Sequence, residues 1–205
     1  MMTSDETRLT SGTIVAFLAD IFARRGAEEY LGEPVTIAQH MLQGATMAEN
    51  SGQSEEIIVA TLLHDIGHFT SEFGTFAMDD TEDRFHEAAG AKILAPFFPA
   101  IVTDCVRHHV AAKRYLCATR PDYLKRLSDA SIHSLSLQGG PMNEAETATF
   151  AQNPNLKDII RVRHLDDAGK KPDMVTSDFA HFTPMIQRVV DRHIAASSPI
   201  PAELK

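Results

Sequence analysis

One stretch of seven residues, Leu62-Leu63-His64-Asp65-Ile66-Gly67-His68, constrains the chain more than any other. Ahead of it, Ser54-Glu55-Glu56 starts a helix in which Ile57, Ile58, Ala60, Thr61, Leu62 and Leu63 leave hardly any polar face. A helix that is apolar nearly all round is buried. The His-Asp pair at its end therefore sits where a carboxylate is tolerated only when it is paired or bound to metal. This segment alone leaves both readings open, a hydrogen-bonded core pair or part of a metal site.

The other donors of the chain bear on that choice. There are ten histidines but only two cysteines, Cys105 and Cys117, too few thiols for a disulfide framework or a thiolate zinc site. His40 falls within an apolar helix face, His86 in a helix after a long break, His108-His109 in the next helix, and Asp166-Asp167 in a late one. Each alone is an ordinary core or surface residue. Together they bring imidazoles and carboxylates from five helices, which is how metal sites in bundle cores are built. One residue from each doublet gives six ligands, His40, His64, Asp65, His86, His109 and Asp166. Six are too many for one ion with an open position and suit two ions sharing a bridge. Asp65, beside His64, is the natural bridge. Imidazole with carboxylate suits iron, manganese or zinc.

The rest of the chain reads as helices joined by short breaks. Ser11 can cap a run with Ile14, Phe17, Leu18, Ile21 and Phe22 on one face, ended by Gly26. Pro34 opens a second, in which Ile37, Met41, Ala45 and Ala48 share a face. After Gly67 no helical period survives until Asp83. That stretch, with Phe69, Phe73, Phe76 and Asp79-Asp80, reads as a long loop. Helices are expected at roughly 83–95, 99–116 and 121–135. A turn at Gln138-Gly139-Gly140-Pro141 precedes a helix capped by Asn143 with Glu146 as its partner, and further helices span about 156–168 and 178–195. No strand-like alternation and no repeat is present. The expectation is an all-α single domain over 1–196, with a flexible tail at 197–205.

At 205 residues, with 28 acidic against 19 basic side chains and a net charge of −9, a nucleic acid or an anionic membrane is a poor partner. The N-terminus lacks the basic-then-apolar order of a signal peptide, and no apolar run nears the roughly 20 residues needed to span a bilayer. A cytoplasmic protein is expected.

The motifs as they stand are His40, His64-Asp65-Ile66-Gly67-His68, His86-Glu87, His109-Val110-Ala111-Ala112-Lys113-Arg114-Tyr115-Leu116, Ser128-Asp129-Ala130-Ser131, Gln138-Gly139-Gly140-Pro141-Met142 and Arg163-His164-Leu165-Asp166-Asp167-Ala168-Gly169-Lys170. From about Tyr30 to about Asp173 the chain resembles the HD-domain superfamily. Within it, the likeness is to the mixed-valent di-iron oxygenases, which include myo-inositol oxygenase and the oxygenases that cleave hydroxylated aminophosphonates. The His109–Leu116 string and the Gln138–Met142 turn look like the phosphonate-cleaving branch. The resemblance implies an HD-domain helical bundle holding two iron ions, Fe(II)/Fe(III), on His40, His64, bridging Asp65, His86, His109 and Asp166. His109 is preferred to His108 because it begins the matching string and shares a helix face with Lys113. His108 is then exposed or supporting. Asp166 is preferred to Asp167 because the family's aspartate precedes a lysine by four residues, here Lys170. Asp167 is then solvated.

The same resemblance implies that Tyr30 and Glu33 form a gate. The phenol fills an iron position until substrate binds, and the glutamate recognises substrate and draws the tyrosine away. From the residues alone, the better reading of Tyr30-Leu31-Gly32-Glu33 is a helix end capped by Gly32, with one packed aromatic and one surface acid. Lys113 and Arg163 would hold a phosphonate, with Ser131 and Ser134 donating hydroxyls and His68 supporting the substrate. The implied reaction is dioxygen-dependent scission of a carbon–phosphorus bond, with an upstream hydroxylase supplying the substrate. Aromatic faces and carboxylates (Phe69, Phe73, Phe76, Asp79, Asp80, Tyr30, Glu33) suit a trimethylammonium arm, hence 1-hydroxy-2-(trimethylammonio)ethylphosphonate giving glycine betaine and phosphate, although the phenylalanines read almost as well as packing of the loop on the core. The alternatives are 2-amino-1-hydroxyethylphosphonate giving glycine, an HD-type metal-dependent phosphohydrolase, and a ligand-sensing module without turnover.

Overall fold

In a computed structural model that describes residues 9–30, 32–70 and 81–197, helix α3 (Glu55–Leu63) is the element on which the others are laid. All of its residues from Ile57 to Leu63 are buried, as its composition requires. The one hydroxyl among them, on Thr61, is satisfied by donating 2.7 Å to the Ile57 carbonyl. Packed on α3 are α2 (Ile37–Asn50), α6 (Ala100–Thr119), α9 (Leu156–Ala168) and α10 (Phe179–Ser197). Each fully buried Ile or Leu in such a helix contributes about 1.5–3 kcal/mol. α1 (Ile14–Arg25) lies on α10 and buries Ile14, Val15, Leu18, Ile21 and Phe22.

Past α3, the chain turns through His64-Asp65-Ile66 into a one-turn helix, α4 (Gly67–Thr70), which packs on α5 (His86–Leu94). Gly67 makes this possible, because a Cβ there would lie 1.8 Å from the His86 carbonyl oxygen. α7 (Asp129–Leu137) and α8 (Glu144–Phe150) complete the bundle. Among the described residues the only extended pairing is one isolated bridge, Glu29 to Thr36, so the chain is all-α. No described helix is long and apolar enough to cross a membrane.

Three expected boundaries move. The first helix is capped at Thr13 rather than Ser11, with the Ile14 N–H held by the Thr10 carbonyl at 2.9 Å. The second begins at Ile37, not at Pro34, because Thr36 and Gln39 form a reciprocal capping box. The helix expected over 121–135 is broken into a 3₁₀ turn (Leu124–Arg126) and α7, with Ser128 capping the latter. α8 keeps its anticipated capping box, Asn143 with Glu146. The tail beyond 197 lies outside the described residues, as do Phe73, Phe76, Asp79 and Asp80.

Candidate metal centre

Each of three candidate ligands has its imidazole tautomer fixed by the backbone. A carbonyl can only accept, so the facing Nδ1 must carry the proton. His40 Nδ1 donates to Gly169 O at 2.9 Å, His64 Nδ1 to Thr61 O at 2.7 Å, and His109 Nδ1 to Val106 O at 2.8 Å. Their Nε2 atoms therefore face the interior, where a neutral ring offers its lone pair. His40 Nε2 and His64 Nε2 stand 3.0 Å apart, so a proton or a metal ion lies between them; against the effect of burial, Asp65 and Asp166 raise the His64 pKa to about 9 and keep a proton there when no ion is bound. A second pair, His86 Nε2 and His109 Nε2, stands 3.1 Å apart. Nitrogens at that distance need a proton or a metal ion between them. With metal–nitrogen bonds of about 2.0–2.1 Å, neighbouring ligands on one ion fall about 3 Å apart.

Asp65 lies between the two pairs. Its Oδ2 is 3.5 Å from His40 Nε2 and 3.3 Å from His64 Nε2, while its Oδ1 is 3.3 Å from both His86 Nε2 and His109 Nε2. Asp166 joins the first pair, with Oδ1 3.4 Å from His40 Nε2 and Oδ2 3.8 Å from His64 Nε2. All six side chains are buried, and Asp65 Oδ2 and Asp166 Oδ1 have no hydrogen-bond partner. Buried orphan carboxylate oxygens facing imidazole Nε2 atoms fit metal ions, and the donor set, without thiolate, fits iron, manganese or zinc. Burial alone would raise the Asp65 carboxyl, but His64 and the other imidazoles outweigh it and hold it well below the usual range.

His68 is also drawn in. Its ring stacks on His86 at 4.0 Å, its Nε2 is 3.9 Å from Asp65 Oδ1, and its Nδ1 is buried without a partner. Burial and the adjacent His86 push its pKa well down, so the ring is neutral. His108 is half-buried beside the Phe150 ring, 5.9 Å away, and points away from this cluster, as its position predicted.

A small cavity of about 30 Å³, room for one or two waters, adjoins the cluster. Lys113, Ser131, Ser134 and Arg163 line it. Lys113 is 4% exposed and donates 2.7 Å to Ser134 Oγ. Burial, helped by Arg163, lowers its pKa to about 7. Ser134 in turn donates 3.2 Å to the Ser131 carbonyl, so its proton is engaged within the protein. Arg163 clamps two carboxylates, with Nη1 2.6 Å from Asp166 Oδ2 and Nη2 on Asp167, and its Nε is buried without a partner. Asp167 is consequently not left to solvent. It also accepts from the Tyr123 hydroxyl at 2.5 Å.

Tyr30 lines the cavity and Glu33 pairs with Lys170 of its wall, both from a turn rather than from a helix end. The Glu33 N–H donates 2.7 Å to the Tyr30 carbonyl, and Gly32 takes a left-handed φ of 71° that favours glycine. The Tyr30 ring stacks on His40 at 4.2 Å. Phe69 does not reach the cavity. It is 5% exposed and packs edge-on against Phe22, with the Arg25 guanidinium over its face. Sequence reasoning gave no role to Lys170, Ser128, Tyr123 or Gln138, although Lys170, Tyr30, Gln138 and Ser131 share the cavity wall. The available signal was the position of Lys170, one turn beyond Asp166.

The HD-domain family's sequence model matches residues 37–136. A [1-hydroxy-2-(trimethylamino)ethyl]phosphonate dioxygenase (glycine-betaine-forming) of Leisingera caerulea is 67% identical over 196 residues, covering 96% of this chain and 100% of that protein. A hydroxymethylphosphonate dioxygenase of Gimesia maris is 40% identical over 177 residues, covering 84% of this chain and 86% of that protein.

Proposed function

The chain belongs to the HD-domain family, among the phosphonate dioxygenases, and from that premise we propose that it cleaves the carbon–phosphorus bond of 1-hydroxy-2-(trimethylammonio)ethylphosphonate with dioxygen. The products are glycine betaine and phosphate. Both atoms of dioxygen are accounted for, one in the new carboxylate and one in phosphate, and one proton is released, so no outside reductant is consumed. The observation that best supports this reading is Asp65, whose two oxygens each face a separate pair of imidazole nitrogens. Such a donor set suits a di-iron pair.

When bound, an Fe(II)/Fe(III) pair supplies Lewis acidity toward the substrate's oxygens and electrons for dioxygen. His40, His64, Asp65 and Asp166 would hold one ion, and Asp65, His86 and His109 the other. The chain's own groups do the rest. Lys113, the Ser131 hydroxyl and the unpartnered Nε of Arg163 provide charge-assisted donors for a phosphonate. His68, neutral and with a free Nδ1, can accept or give a proton at the carbon-1 hydroxyl. Tyr30, stacked on His40, would stand beside the first ion, and Glu33 would engage the substrate's cationic arm.

The test is iron-loaded protein supplied with the hydroxyphosphonate in an oxygen electrode. One dioxygen should vanish per phosphate and per glycine betaine formed, and the half-reduced protein should show a coupled Fe(II)/Fe(III) resonance that substrate perturbs. Phosphate release from a nucleotide monoester under nitrogen, without oxygen uptake, would make the chain a phosphohydrolase instead.

A further inference from the structure

Lys170 lies just past the end of α9 with a side chain only 12% exposed. Its ammonium donates 2.8 Å to Glu33 Oε1, 2.8 Å to Ser131 Oγ and 3.2 Å to Ser128 Oγ, which uses all three of its protons. It also stands 5.7 Å from the centroid of the Tyr30 ring. Ser128 donates 2.5 Å to the same Glu33 oxygen and so holds the carboxylate toward the lysine. A carboxylate and an aromatic face are the two partners that a quaternary ammonium seeks, and here one internal cation holds both.

The charges around the cavity give this arrangement a consequence. Of the three cations on its wall, Arg163 is committed to Asp166 and Asp167, Lys113 rests on a neutral hydroxyl, and Lys170 is paired with Glu33. A zwitterionic phosphonate brings one cation and one dianion. Its arm competes with Lys170 for Glu33 and Tyr30, and Lys170 can leave them at low cost only if another anion receives it. Ser131, which Lys170 already touches, lines the cavity where the phosphonate would lie.

We propose that Lys170 is an internal counter-ion that occupies Glu33 and Tyr30 until the substrate's cationic arm displaces it, whereupon its ammonium turns through Ser131 to the phosphonate. One salt bridge is exchanged for two, and only a ligand carrying both charges completes the exchange. The inference rests on the substrate class proposed above and adds the residue that selects for it.

Two probes that cannot react separate the charge from the shape: 2-(trimethylammonio)ethylphosphonate and its uncharged carbon isostere, 3,3-dimethylbutylphosphonate. Their affinities are measured calorimetrically under nitrogen on metal-loaded protein. In Lys170→Met the cationic arm meets Glu33 without a competitor, so the cationic-to-neutral affinity ratio should rise by about tenfold or more, the factor carried by one charge-assisted hydrogen bond. Lys170→Arg should keep the wild-type ratio within about threefold, since one charge-assisted pairing replaces another. Lys170→Gln, which keeps hydrogen bonding without charge, carries the Met expectation should the Met variant not fold. If Lys170 only binds phosphonate, both probes weaken together and the ratio stays put, which overturns the proposal. Oxygen uptake by the same wild-type preparation on the hydroxylated substrate is read separately. A ratio shift without turnover would sink the proposed reaction and leave the counter-ion standing, whereas turnover without a ratio shift would sink the counter-ion alone.

Discussion

Lys113 is the residue at which the cavity's chemistry depends most on pH. Burial, and after it Arg163, brings its pKa from the usual lysine range to about 7. The free site therefore keeps the ammonium below neutrality and loses it above, while a bound phosphonate dianion favours the charged form and draws a proton back. Affinity for a phosphonate attributable to Lys113 should be level below pH 7 and fall by up to about tenfold per pH unit above it. Lys113→Arg stays charged throughout, because a guanidinium titrates above pH 12. The ligand's own ionisation is common to both proteins, so the ratio of their affinities from pH 6 to 9 isolates the lysine. A ratio that does not change would mean that Lys113 remains charged in the free site. The lysine was legible in the sequence as the residue one turn after His109, on the same face. The Glu33–Lys170 pair was not, because its members lie 137 positions apart and neither carries a local signature of the other.

At the scale of elements, the meeting of α4 with α5 tolerates the least change. The backbone of Gly67 approaches that of His86 so closely that an added Cβ would lie 1.8 Å from its carbonyl oxygen and 2.9 Å from the Gly90 nitrogen. Neither backbone atom can swing aside like a side-chain tip, so Gly67→Ala must separate the two helices. His86, at the start of α5, and His68, on α4, would move with them. Overpacking of a tight contact costs about 1–3 kcal/mol, and this one, backbone against backbone, belongs at or above the upper end. The expected result is a lower melting temperature together with loss of bound metal from the His86–His109 side. Full metal content at the wild-type melting temperature would mean that the helices do not pack this way. Helical period revealed these elements because each presents a buried face, α3 all of its circumference. What it missed were breaks made by hydrogen bonds rather than by apolar spacing. Thr36 and Gln39 delay α2 past Pro34, and Ser128 interrupts a run whose leucines would otherwise continue.

For the whole molecule, the centre is where separate parts of the chain are tied together. His40 comes from α2, His64 and Asp65 from the end of α3, His86 from α5, His109 from α6 and Asp166 from α9. Without metal ions, the two pairs of imidazole nitrogens at 3.0 and 3.1 Å are bridged by protons alone, beside two buried carboxylate oxygens with no partner. The lost cross-link falls on the junction of the bundle rather than on a loop, so metal removal should loosen the fold cooperatively. An ion that binds only the native state, present at about a thousand times its dissociation constant, stabilises by about 4 kcal/mol. In a domain of this size each kcal/mol moves the melting temperature by about 2–4 °C. Chelation should therefore lower it by about 8–16 °C, and iron(II) returned under nitrogen should restore it, as scanning calorimetry would record. Asp65→Asn should forfeit most of that increment, since Asp65 faces both imidazole pairs. Glu33→Gln should retain it, because Glu33 touches Lys170 and Ser128 rather than the imidazoles. A melting temperature indifferent to chelator and to added metal would mean that the histidine pairs are held apart by protons, and the assignment of six ligands to two ions would fall with it.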